Sequence, residues 1–278
     1  MRINRLTVLA LLAGLSATSA SAADMPGSSN AVPQGSSSWT GFYIGANAGY
    51  GFSDNSAAAY TANDQNAALS TCGFEGCVPA SPLSFKGGMV GGQVGYNYQF
   101  NERWLAGIEA DYDFSNLRGS GNSTFLLDSA GPATATTNIS VDSFGSVRGR
   151  IGYLPNNSLL IYGTGGLAFG RVSTNATMSA DGGFMRFGYG YFCDRSMPNC
   201  FIGTSSRISV GWTAGAGTEF ALTDHFTAKF EYTYVDLGST KGLAAVATNS
   251  LGFAPSSFAV DMATRFNVVR VGLNYHFE

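Results

Sequence analysis

Hydrophobic and polar residues alternate along most of this chain. In "VGGQVGYNYQF" (90–100), Val90, Val94, Tyr96, Tyr98 and Phe100 share one parity, while Gln93, Asn97 and Gln99 share the other. A period of two marks an extended strand with two unlike faces. Seven more segments belong to the same series: "GFYIGANAGYGF" (41–52), "WLAGIEADYDF" (104–114), "ISVDSFGSVRGRIGY" (139–153), "LLIYGTGGLAFGRVS" (159–173), "RISVGWTAGAGTEF" (207–220), "HFTAKFEYTYVDL" (225–237) and "FNVVRVGLNYHF" (266–277). The segment 159–173 is a strand by composition, although its two faces are alike.

The connections alternate as well. Those after the second, fourth and sixth segments are tight: "NER" (101–103), "PNNS" (155–158) and "TD" (223–224). Those after the others are long: 53–85, 116–138, 174–206 and 240–260. An antiparallel up-and-down meander gathers the tight turns and both termini at one end and the long loops at the other. Loops beyond ~15 residues are uncommon in compact domains unless functional or disordered. The pattern predicts an all-β fold: eight antiparallel strands closed into a barrel, with four long loops on one rim.

Such a barrel is either a soluble ligand carrier or a transmembrane barrel. The height of the aromatics decides. On the apolar face Phe42, Phe100, Trp104, Tyr153, Phe220, Phe226, Tyr275 and Phe277 lie near the tight turns, and Tyr50, Phe52, Tyr112, Phe114, Tyr232 and Tyr234 near the long loops. Ala, Val, Ile and Gly fill the space between. A bilayer sorts residues this way, with rings at both interfaces flanking an apolar band ~25 Å tall. The apolar face is therefore expected outside, against lipid. The polar face then lines a lumen that eight strands leave just wide enough for side chains. It carries Glu109, Asp111, Asp113, Asp142, Glu219 and Glu231 with Arg148, Arg150, Lys229 and Arg270. Buried unpaired ions cost several kcal/mol, so these ten are expected to form a network that plugs the lumen.

Composition agrees. Only 12% of residues are charged, against roughly 25% in a typical soluble domain. Hydrophobic residues make up 45%, yet mean hydropathy is only +0.06, so they are dispersed rather than blocked. A net charge of −3 offers no basic surface to nucleic acid. One apolar block exists, in "MRINRLTVLALLAGLSATSASAAD": Arg2 and Arg5, then Leu6–Leu15, then Ala20-Ser21-Ala22. This reads as a secretory signal peptide over 1–22, followed by a Ser/Pro/Gly-rich flexible periplasmic lead-in at 23–38 and the barrel at 39–278. No other segment approaches the ~20 apolar residues of a spanning helix. Export to an oxidising compartment favours local disulfides between Cys72 and Cys77 and between Cys193 and Cys200, although four cysteines formally allow three pairings.

The segments "WTGFYIGANAGYGF", "GGQVGYNYQF", "LAGIEADYDFS", "GSVRGRIGY", "GWTAGAGTEFAL", "AKFEYTYVDLGS" and "VRVGLNYHF" together resemble the small outer-membrane proteins of alphaproteobacteria known as outer-membrane immunogenic, or porin-family, β-barrel surface antigens. The resemblance runs from about Trp39 to the end. It implies periplasmic termini and turns, extracellular variable loops, outer-membrane lipid as surroundings, and recognition of the C-terminal strand by the barrel-insertion machinery. Such barrels usually end on an aromatic residue; here Glu278 follows Phe277.

Catalytic signals are weak. His225 and His276 both sit near the tight-turn end, away from the long-loop rim where an enzyme's site would open. Glu109 and Asp111 stand beside arginines, which favours structural pairing. "GTGGLAFG" (163–170) lacks the Lys-Ser/Thr ending of a phosphate loop. The reading is a non-enzymatic barrel without metal or cofactor, serving the envelope structurally and displaying its loops. A receptor or adhesin that binds an unidentified extracellular ligand through "FGYGYFCDRSMPNCF" (187–201), or a narrow channel, are the alternatives.

Overall fold

The structure, a computed structural model, describes residues 39–62, 72–73, 76–77, 80–127, 131–180, 201–247 and 257–277. The expected signal peptide and lead-in, Cys193 and Cys200, the aromatic stretch 187–200 and Glu278 lie outside them. Among the described residues there are ten strands: β1 (Gly41–Ala62), β2 (Cys72–Gly73), β3 (Gly76–Cys77), β4 (Ser81–Gln99), β5 (Trp104–Leu127), β6 (Gly131–Asn156), β7 (Leu159–Ala180), β8 (Phe201–Ala221), β9 (Phe226–Ala247) and β10 (Ser257–His276).

Eight of them close a barrel in the order β1-β10-β9-β8-β7-β6-β5-β4, every neighbour antiparallel, with β4 returning to β1 through pairs such as Phe42↔Tyr96. Closure gives every strand a partner on each side, as hydrocarbon demands; the β8–β9 ladder lapses between Ile202 and Trp212, toward the long-loop rim. The small strands β2 and β3 form a separate ribbon whose backbone register sets Cys72 opposite Cys77. Phe114, Ile108, Leu167 and Val210 are each about two-thirds exposed on the outer wall, whereas Glu109, Arg148 and Glu231, one parity away, are buried. The outer wall is the apolar one.

The three tight turns are built from local side chains. Asn101 Oδ1 accepts from the amides of Arg103 and Trp104 at 2.9 and 2.8 Å. Asn156 Oδ1 accepts from Ser158 N at 3.0 Å, and Thr223 Oγ1 from Phe226 N at 3.0 Å. Both ends of the barrel chain meet at this rim, where Phe277 N donates to Phe42 O at 2.9 Å and the Trp39 indole to Asn157 O at 3.1 Å.

The strands run farther toward the other rim than the alternation suggests. Connections expected over 53–85, 116–138, 174–206 and 240–260 are replaced in large part by strand, which continues to Ala62, Leu127, Ala180 and Ala247 and resumes at Ser81, Gly131, Phe201 and Ser257. Even β4, with 19 residues, reaches roughly 60 Å along its own axis. At a tilt of ~40° that is still well over the ~25 Å of the apolar band. The barrel wall therefore continues beyond the lipid.

Beyond it, polarity inverts. In β6, Phe144, Ser146, Arg148 and Arg150 point inward, but past a bulge at Asp142 the inward set becomes Val141, Ile139, Thr137 and Ala135. In β1 a bulge between Ser53 and Ser56 likewise moves the buried positions from odd to even. An extra residue in a strand shifts its side chains to the other face, so each bulge switches parity. The interior past the bulges is apolar: Phe266 meets the rings of Phe85 and Phe144 at 6.0 and 5.5 Å, and Leu83, Leu117, Val172 and Met178 pack above them. Outside, Asn138, Ser120 and Thr204 are exposed. This half is organised as in a water-soluble protein.

A third bulge lies on β9, opposite Ala263 and Arg265. There Gly238 holds φ at +74° and donates its amide to Asp236 Oδ1 at 2.8 Å. A Cβ at Gly238 would meet only Val210 O at 3.6 Å, so substitution costs backbone strain rather than a clash. Gly238→Ala is expected to lower unfolding free energy by about 1–2 kcal/mol and Gly238→Asn by less. Urea titration of the detergent-refolded variants measures both.

Candidate functional site

The charged residues meet in the lumen at mid-height. Arg148 on β6 faces Glu109 on β5 in cross-strand register and pairs with it at 2.5 Å. The same guanidinium reaches Asp111 at 3.2 Å and, across the lumen, Glu231 on β9 at 2.8 Å. Arg270 on β10 is in register with Glu231, pairs with it at 2.6 Å, and extends to Asp111 and Asp113 at 3.3 and 3.2 Å. Arg150 pairs with Glu219 on β8 at 2.7 Å. Lys229 lies opposite Glu219 in the ladder yet turns across the barrel to Glu109, 3.0 Å from both of its oxygens. Each of these side chains is exposed by 2% or less.

Neutral groups add to the pairing, although Asp113 Oδ1 and the Nε atoms of Arg148 and Arg150 have no hydrogen-bond partner among the described residues. The Tyr43 hydroxyl donates to Glu109 at 2.8 Å and accepts from Arg150 at 2.8 Å. The Tyr162 hydroxyl donates to Glu231 at 3.0 Å, while its ring lies 4.4 Å from the Arg150 guanidinium. Glu219 accepts from Asn274 at 2.6 Å and from Thr227 at 2.5 Å. Gln93 on β4 donates to Asn274 at 2.6 Å. All eight barrel strands thus hold the network. Glycines on the same parity make room for the rings: a Cβ at Gly95 would lie 2.3 Å from the Tyr43 hydroxyl, and one at Gly217 2.6 Å from that of Tyr162.

The ionic layer lies between two apolar ones. Toward the long-loop rim is the Phe85–Phe144–Phe266 core. Toward the tight turns Trp39, Leu105, Leu154, Leu160 and Tyr162 form a smaller buried cluster. His276 occupies this lower level, 5.3 Å from the Tyr43 ring and edge-on to Trp39 at 5.9 Å. His225 instead sits at the turn and stacks on Tyr275 at 5.7 Å. The two histidines are not brought together.

Nine of the ten charged residues expected in the lumen are gathered there. Asp142 is a correction: it is the extra residue of the β6 bulge and is exposed. Its parity matches Arg148 and Arg150 in the sequence, but the bulge falls at Asp142 itself and turns it out. The sequence reading set Gln93 on the polar face without naming it in the network, and did not single out Trp39, Tyr43, Tyr162 or Asn274 as members. Tyr43, Gln93 and Asn274 carry a legible signal, sharing the inward parity of their strands with glycines and polar residues. Tyr162 does not, because its strand has two similar faces.

The charged groups are spent on one another, and the arrangement suits mechanical cross-bracing of the wall more than chemistry on a substrate. Comparison with known proteins agrees in fold and setting. A family model described as outer membrane protein beta-barrel domain matches residues 8–277. The 31 kDa outer-membrane immunogenic protein of Brucella melitensis biotype 1 is 34% identical, over 97% of this chain and 98% of the relative. A 22 kDa outer membrane protein of Rhizobium leguminosarum bv. viciae is 27% identical over 82% of this chain and 79% of its own length. Among solved structures, the outer membrane protein OprG from Pseudomonas aeruginosa shares the fold with a TM-score of 0.50 at 15% identity, covering 86% of this chain and 97% of that one. The chain belongs to the outer-membrane β-barrel family, in the company of the alphaproteobacterial outer-membrane immunogenic proteins.

Proposed function

We propose that this protein is a non-enzymatic barrel with a closed lumen, which braces the outer membrane and displays its longer connections outside the cell. In this reading residues 1–22 are removed on export, 23–38 form a periplasmic lead-in, and the tight turns and both mature termini face the periplasm. The barrel-insertion machinery takes up the chain through β10. The observation that carries the closed lumen is the network of Glu109, Arg148, Lys229, Glu231 and Arg270, which bridges opposite walls rather than only neighbouring strands. An ion crossing the barrel would have to part these pairs at several kcal/mol each. The inverted polarity past the bulges supports placing the long-loop rim in water, outside the bilayer.

Two measurements test this. In planar bilayers the wild-type protein is expected to carry no steady current. Arg148→Ala leaves Glu109, Asp111 and Glu231 facing one another and is expected to cost about 3–5 kcal/mol of stability, read by urea unfolding in lipid vesicles. A steady wild-type current, or an Arg148→Ala protein as stable as the parent, contradicts the closed, braced lumen. For sidedness, an epitope inserted within 248–256 should be labelled by antibody on intact cells. The same epitope at 223–224 should be labelled only after the outer membrane is permeabilised; the opposite pattern reverses the orientation.

A further inference from the structure

Three strands repeat one arrangement on their outer face just past the lipid-facing band. On β4, Lys86 lies four residues from exposed Val90; on β5, Arg118 lies four from Phe114; on β7, Arg171 lies four from Leu167. Residues i and i+4 of a strand share a face and stand roughly 13 Å apart. At a tilt of ~40° each cation therefore sits about 10 Å above an apolar side chain that meets acyl chains. Lys86 and Arg118 are directly opposed across β4 and β5, two like charges side by side with no carboxylate between them. Such opposition is destabilising unless an anion is shared.

Of the other exposed arginines on the strands toward this rim, Arg265 on β10 is neutralised by Asp236 at 2.9 Å and Arg207 on β8 donates to Ser239 O at 3.3 Å. Lys86, Arg118 and Arg171 form no ion pair among the described residues, and exposed Asp142, in the neighbouring β6 bulge, pairs with none of them. Beside Arg118 the wall carries a groove of about 590 Å³ whose lining combines apolar surface with the hydroxyls and amides of Asn138, Ser140, Ser173, Asn175, Thr204 and Ser206. Its central row is a ladder in strict register, Arg118↔Ser140↔Ser173↔Ser206, with Ser173 and Ser206 hydrogen-bonded at 2.9 Å. The row beyond is Ser120↔Asn138↔Asn175↔Thr204.

We propose that this face holds one outer-leaflet lipid with a phosphorylated sugar headgroup. Its phosphates are shared by Lys86, Arg118 and Arg171, the sugars that extend beyond its phosphorylated disaccharide lie along the Ser/Asn/Thr groove, and its acyl chains run down over Val90, Phe114 and Leu167. The order of chemistries along the wall (hydroxyls, then cations, then hydrocarbon) matches a lipid whose outer sugars extend beyond a phosphorylated disaccharide that itself carries the acyl chains. A free sulfated or phosphorylated polysaccharide would use the cations and the groove but not the apolar residues below. The inference rests on the orientation proposed above, and its binding test is read on purified protein, so its failure is separable from failure of the epitope experiment.

The test is retention of bis-phosphorylated lipid A by the full-length barrel, refolded in detergent and examined by native mass spectrometry. Wild type is expected to keep one lipid. K86Q/R118Q/R171Q should bind it roughly 100-fold more weakly, from about fivefold per cation, while R103Q at the opposite rim binds as wild type. Dephosphorylated lipid A should bind wild type as weakly as lipid A binds the triple variant, an arm that holds even if that variant does not fold. Inorganic phosphate or a soluble sulfated oligosaccharide should not displace the lipid. Equal retention by wild type and the triple variant, equal binding of dephosphorylated lipid, or displacement by the soluble anions overturns the proposal.

Discussion

Hydrocarbon offers no partner to a peptide group, and that constraint organises this protein. Every backbone N–H and C=O at membrane depth must be satisfied within the protein, and a sheet does so only by closing on itself. Closure with eight strands leaves an interior as narrow as a side chain. The outer wall is then necessarily apolar, and the polar residues that alternate with it are forced into the buried interior. Arg148, Arg150, Lys229 and Arg270 are accommodated there because Glu109, Asp111, Asp113, Glu219 and Glu231 come with them. A chain that presented only one sign on this parity would pay the full desolvation of its ions.

Much of this is legible in the sequence. The two-residue period in 41–52, 90–100 and 104–114 is strong because each face is chemically uniform over a whole crossing. The aromatic girdles were legible because Trp104, Phe226 and Tyr275 cluster at one height and Tyr112 and Tyr232 at the other, and these side chains are exposed on the outer wall. Which ion meets which was not legible. Register pairs such as Glu109↔Arg148 follow from neighbouring strands once the turns fix their alignment, but Lys229 reaches over the lumen to Glu109 rather than along the ladder to Glu219. Strand spacing says nothing about partners on opposite walls.

The upper half was missed for a different reason. Segments such as "TATTNISV" (134–141) alternate as faithfully as the spanning strands, with Ala135, Thr137, Ile139 and Val141 inward. Their residues are small and their parity is displaced by a bulge, so a reading that carries one parity through the strand sees only a loop. Asp142 was misplaced by the same displacement. The bulges in β1 and β6 carry an unbroken apolar parity from the outer face to the inner one, whereas β4, β5, β7 and β10 keep one inward parity and change residue type along it. The result is a wall that continues past the apolar band toward the long-loop rim and exposes polar residues such as Ser120, Asn138 and Thr204 on its outer face.

The chain's three tryptophans report directly on this arrangement. Trp104 and Trp212 stand on the outer wall, about half exposed, whereas Trp39 is 4% exposed inside the tight-turn rim. Single-tryptophan proteins, made by replacing the other two with Phe, are placed in vesicles whose acyl chains carry bromine. Strong quenching of Trp104 and Trp212 together with an unquenched Trp39 is the result required by an apolar exterior and a packed polar lumen. Quenching of Trp39 with Trp104 and Trp212 untouched would mean that the faces are assigned the wrong way round.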